Sequence, residues 1–201
     1  MASSLFRRCS LVLVTASILA LGACGRPQNQ PTTPPSEAAG TIWLNEGVVL
    51  YMPDQVMKAR IKIEDMSPYM KSVEAAAKAV VEAQSGQKGT SGMLLIGLRP
   101  DGQSKAWIVT GEPPMAQPVA DAMIAAAEAV PAPPVNEGTV LVGIQFHAFG
   151  GGTAPVSSGP PIPRDWYSHF SKHGGLLDDA LMDKVWPQDT AGQNAPKETV
   201  Q

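Results

Sequence analysis

The stretch Gly92–Gly111 reads Gly-Met-Leu-Leu-Ile-Gly-Leu-Arg-Pro-Asp-Gly-Gln-Ser-Lys-Ala-Trp-Ile-Val-Thr-Gly, and its reading decides the fold. Gly92–Leu98 is an apolar run of strand length, and Gln103–Thr110 is a second run rich in β-branched and aromatic residues. Between them stands Arg99-Pro100-Asp101-Gly102. Proline fixes one turn dihedral and Asp-Gly tolerates positive φ, so the pair of runs predicts an antiparallel hairpin.

Working outward, a helix is predicted on each side. Ser67-Pro68 resembles an N-cap with proline at the first helical position, and Met66, Met70, Val73, Ala77, Val80 and Val81 follow at helical spacing up to Gly86. From about Gln117 to Val130 an Ala-rich stretch places Val119, Met123, Ala126 and Val130 on one face, until Pro131-Ala132-Pro133-Pro134 stops it. Thr139–Phe146 reads as a strand of the fully buried type. Further upstream, Thr41–Met52 is apolar around a predicted turn at Asn45-Glu46-Gly47, and Ala59–Glu64 alternates like a half-buried strand.

The expected architecture is α+β: a small antiparallel sheet made of the hairpin and one further strand, with a candidate extra N-terminal strand pair. Two helices cover it, and a C-terminal helical extension follows, about Pro163–His173 and Leu176–Val185. The domain is expected over residues 41–187. Residues 188–201 form a polar tail, frayed as chain termini commonly are.

Within this frame Tyr69–Ala148 resembles the C-terminal domain shared by TonB and TolA. The resemblance rests on Leu95–Gly102, on Trp107–Gly111 with its Thr-Gly end, on the helix Ala120–Val130, on the Pro-Pro turn, and on Val140–Phe146. It covers a core of about residues 67–148 and implies a protein-binding domain of the cell envelope. TonB and TolA have an inner-membrane helix and a long spacer, and this chain departs from both. No binding residue is carried over.

The N-terminus gives an address. Arg7-Arg8 precedes an uncharged stretch from Cys9 to Ala23, too short to span a bilayer, which is the build of a secretory signal over residues 1–23. Leu21-Gly22-Ala23-Cys24 resembles a bacterial lipobox, implying a lipid-modified Cys24 as the mature N-terminus. Gly25 after the cysteine, by the same resemblance, points to the outer rather than the inner membrane. Residues 24–40 then form a lipidated cysteine and a Pro-rich tether, unable to build a core. With Cys9 removed and Cys24 acylated, no thiol remains for a disulfide, a zinc site or a nucleophile.

Composition narrows the function. At 44% hydrophobic the chain is too apolar to be wholly disordered, and a formal net charge of −3 leaves no broad basic footprint for nucleic acid. The expected metal candidate is Asp165, His169 and His173, which at i, i+4 and i+8 would share one face of an α-helix and could hold a hydrolytic zinc. Trp166 and Phe170 on the same segment argue for packing instead. His147, at the end of the last strand, reads as structural, because none of Ser91-Gly92, Ser157-Ser158 or Ser171 sits in a nucleophile elbow.

The expectation is therefore a lipid-anchored periplasmic binding or scaffold protein of an envelope complex, with no catalytic residue, metal or cofactor. Its contacts are the membrane, through Cys24, and a periplasmic or envelope protein, which could add a strand at an edge such as Thr139–Phe146 or the hairpin. A metal-dependent hydrolase on the Asp165/His169/His173 face is the alternative.

Overall fold

The structure is a computed structural model and describes residues 42–157, 159–170 and 177–188. Its centre is a four-stranded antiparallel sheet in the order β1-β4-β2-β3, with β1 at Trp43–Leu50, β2 at Thr90–Leu98, β3 at Ser104–Thr110 and β4 at Val140–Ala148. The predicted hairpin is β2–β3. Its turn closes through Arg99 N–H to Gln103 O (3.0 Å) and Gly102 N–H to Arg99 O (3.1 Å), with Gly102 at φ 78°. Every residue of β2 is buried.

Cross-strand partners share a face. Leu95 stands opposite Trp107 on β3 and Gly143 on β4, so these three project to one side, while Leu94, Ile108 and Ile144 project to the other. Helices α2 (Ile63–Glu82) and α3 (Gln117–Glu128) cover the second of these sides, packing on each other and on the edge strands. Their inward residues include Met66, Met70, Val73, Ala77 and Val81 of α2 and Val119, Met123 and Ala127 of α3. Burying the Met and Val side chains among them contributes about 1.5–3 kcal/mol each.

The first face is covered as well. The chain leaving β4 runs back across the sheet as a strap, then forms a 3-10 turn (Arg164–His169) and a short helix α4 (Asp179–Val185). Trp166 and Trp186 meet Trp107 edge-on at centroid distances of 5.0 and 6.1 Å. Gly97 leaves the room this needs, since a Cβ there would lie 3.2 Å from the Trp107 and Trp186 rings, and Gly143 does the same for Met93 and Tyr51. A Cβ on Gly143 would lie 2.6 Å from Met93 Sδ and 2.9 Å from the Tyr51 ring.

Several expectations are corrected. Residues 59–64 are not a strand: α1 (Asp54–Arg60) ends there and α2 begins, so Ile61 is buried while Ile63 is exposed. Because α2 starts at Ile63, Pro68 lies inside the helix, not at its first position. The expected turn at Asn45-Glu46-Gly47 is a β-bulge within one continuous strand. Asn45 Oδ1 accepts from Gly47 N–H (2.7 Å) and Gly47 takes φ 142°, which is turn chemistry used without reversing the chain. The candidate N-terminal strand pair is thus the single strand β1. The predicted helix over 163–173 is a 3-10 turn where it is described, and α4 is shorter than expected.

Candidate functional site

Sheet order decides which backbone can meet a partner. Thr139–Phe146, expected as an edge, lies in or beside β4, which is hydrogen-bonded on both sides, by β1 and β2. Its unbroken apolar run reflects burial on both faces, a property of interior strands. The edges are β3 and β1.

The β3 edge is capped over its first half. Ala106 N–H donates outward to Glu128 Oε1 (2.9 Å), Ser104 Oγ–H donates to Glu128 O (3.4 Å), and α3 lies along the strand. This covering is a common protection against strand addition.

The β1 edge is different. Ile42, Leu44, Val48 and Leu50 all stand exposed, four of the seven large apolar side chains that do so among the described residues. A fifth, Ile63, borders a groove of ≈ 430 Å³ beside the C-terminal half of β1. Leu50, Met57, Ile61, Ile63 and Met66 give it an apolar floor and walls. At its rim Lys58 pairs with Asp54 at 2.6 Å. Edge backbone and apolar groove therefore adjoin, the arrangement used to accept an extended peptide.

At the bulge, Glu46 falls out of register and its carboxylate turns back over β4. Oε1 meets His147 Nε2 at 2.5 Å and Oε2 accepts from Gln145 Nε2 at 2.5 Å. On its other side the imidazole Nδ1 contacts Ser91 Oγ, a short hydrogen bond. Ser91 Oγ also donates to Gly152 O (2.7 Å) and accepts from Gly152 N–H (2.9 Å).

This Ser–His–Glu row was not legible in the sequence, where His147 had no identifiable partner. The β2–β4 register sets Ser91 opposite His147, and the bulge supplies Glu46. As chemistry it is poorly suited to nucleophilic catalysis. Ser91 is 1% exposed, lies within a strand and spends its hydroxyl on Gly152. A nucleophile needs a free hydroxyl aimed at substrate.

The predicted metal face does not assemble as an α-helical face. Asp165 and His169 lie on the 3-10 turn, where a four-residue step advances a third of a turn past alignment, while His173 lies outside the described residues. Trp166 of that turn is fully buried, as its packing role requires. Among the described residues no group of three His, Cys, Asp or Glu side chains could hold a metal ion. Cys24 also lies outside them. No described helix is long and apolar enough to cross a membrane.

Comparison with protein-family models, with curated proteins and with solved structures finds no match for the chain.

Proposed function

We propose that this chain is a non-enzymatic binding or scaffold module of a cell-envelope complex, held in the periplasm by lipid on Cys24 and built on a TonB/TolA-like domain. The observation that carries the reading is the β1 edge, open and apolar beside a groove, whereas the β3 edge is capped. The occupant is an extended segment of another envelope protein with apolar side chains at alternate positions. Backbone bonds to β1 supply affinity, and the side chains that reach past Leu50 into the groove supply selectivity. The chain's own tether is chemically unfit for this role: Pro27, Pro31, Pro34 and Pro35 donate no backbone hydrogen bond.

The test is site-specific photo-crosslinking in living cells from Leu44, Val48 and Leu50, with Lys71 on the far side of α2 as control. A discrete protein captured from the β1 positions and not from Lys71 supports the reading. Equal capture at all positions, or none from β1, overturns it.

A further inference from the structure

We infer that the Glu46–His147–Ser91 row is a proton-operated latch, closed by doubly protonated His147, that fixes the shape of the β1 edge. As regulation of strand docking it rests on the binding reading above; as a latch within the fold it stands on hydrogen-bond accounting alone.

The accounting begins at Ser91. Its oxygen touches Gly152 O, Gly152 N–H and His147 Nδ1, but it has a single proton to give. Gly152 O can only accept, so the hydroxyl proton belongs there. Gly152 N–H occupies one lone pair, and the contact with Nδ1 is then satisfied only if Nδ1 itself carries a proton. On the far side Nε2 faces the Glu46 carboxylate, which has no proton to offer, so Nε2 must donate too. Either neutral tautomer leaves a contact unmet. The arrangement fits imidazolium, with charge-assisted bonds on both sides.

The groups facing His147 are consistent with this. From β1 comes the Glu46 carboxylate, from β2 the Ser91 hydroxyl, and from the strap the Gly152 peptide acting through Ser91. Among the described residues the charged partner is Glu46, itself held by Gln145.

Two parts of the architecture, the strap and the β1 edge, thus report to one proton. On the strap side it fixes the start of the chain that crosses the sheet. On the edge side it holds Glu46 inward and keeps the bulge in β1. The latch is closed while His147 is protonated and Glu46 ionised. Loss of the second ring proton, or protonation of Glu46, leaves one of these contacts unmet and opens it. Opening on the alkaline side frees Glu46 to swing to the edge, where an exposed charge discourages strand addition.

The experiment is a pH titration of the full chain followed by nitrogen NMR of the imidazole and by amide exchange at Gly47 and Gly152. The expected result is two ring protons on the acid side. Loss of the second is accompanied by about tenfold faster exchange at both glycines, equivalent to about 1.4 kcal/mol of local opening. In Glu46→Gln the response at Gly47 disappears while Gly152 still follows the ring. A single ring proton throughout, or a titrating ring with flat exchange at both glycines, overturns the latch. No partner enters this measurement, so an absence of crosslinks at β1 would remove the docking role and leave the latch standing.

Discussion

Arg60, the last residue of α1, and Asp179, the first of α4, meet as a two-point ion pair, with Nη1–Oδ1 at 2.9 Å and Nη2–Oδ2 at 2.7 Å. Around it, Thr139 N–H donates to Asp179 Oδ1 (2.9 Å) and Arg60 Nη1 donates to Thr139 O (2.6 Å). One guanidinium therefore joins the N-terminal helix, the entry to β4 and the C-terminal helix. Replacing Arg60 with Ala should lower stability by about 1.5–3 kcal/mol, read from the urea midpoint.

The same pair sets a response to acid. Burial pushes the Asp179 carboxyl up, but Thr139 N–H and the bonded, charged Arg60 outweigh it, and its pKa falls below the ordinary 3.8. A folded pKa below the unfolded one gives stability that is present above the unfolded value. That stability is lost as pH falls through the folded one. Asp179→Asn should therefore be less stable than the wild type near neutrality, and the difference should shrink as the solution is acidified below the ordinary carboxylate range.

Arg99 is buried at the hairpin turn, its guanidinium 4.0 Å from the Trp186 ring centre and bonded to the Trp186 carbonyl. Arg99→Lys keeps the charge but loses the flat stacking surface, so it should release Trp186 from Trp107. The expected signs are a weakened near-ultraviolet circular dichroism signal and a red-shifted tryptophan emission. An unchanged spectrum would show that the indole is held by its other contacts.

Gly143→Val should cost about 1–3 kcal/mol, since the added carbons meet Met93 and Tyr51 in a packed layer. Thermal unfolding reads the loss. In the double variant with Met93→Ala part of the stability should return, because the first contact to give way would be gone.

Zinc should leave the thermal midpoint unchanged. A site at 100 times its dissociation constant would add about 2.7 kcal/mol. A shift that His169→Ala abolished would bring back the hydrolytic alternative.

Cys24→Ser should move the protein from the membrane fraction to the soluble periplasm. Persistence in the membrane fraction after a high-salt wash would count against a lipid anchor.

How far the sequence carried the fold depended on whether a signal was local. The hairpin was legible because Pro100, Asp101 and Gly102 encode their turn within four residues. Helix α3 was legible because Pro131 marks its limit. The alternation of Ile61 and Ile63 misled because two helices meet there, and a two-residue junction mimics a strand's period. Strand order was not legible at all. Nothing local in Val140–Ala148 says that β1 returns to flank it, so the interior strand was read as an edge. The Glu46–His147 contact was hidden for the same reason: it requires both the distant register and the bulge that shifts Glu46 out of it.

The place of β1 in the sheet also bears on how the chain is built. Among the described residues its only sheet neighbour is β4, the last of the four strands to be synthesised. The hairpin can close early through short-range contacts, while β1 must remain unpaired until the final strand exists, and such distant pairings form slowly. Of the four strands, the one synthesised first is thus the one that joins the sheet last. A chaperone acting on the nascent chain would find the apolar side chains of Ile42–Leu50 bare for longer than any other strand.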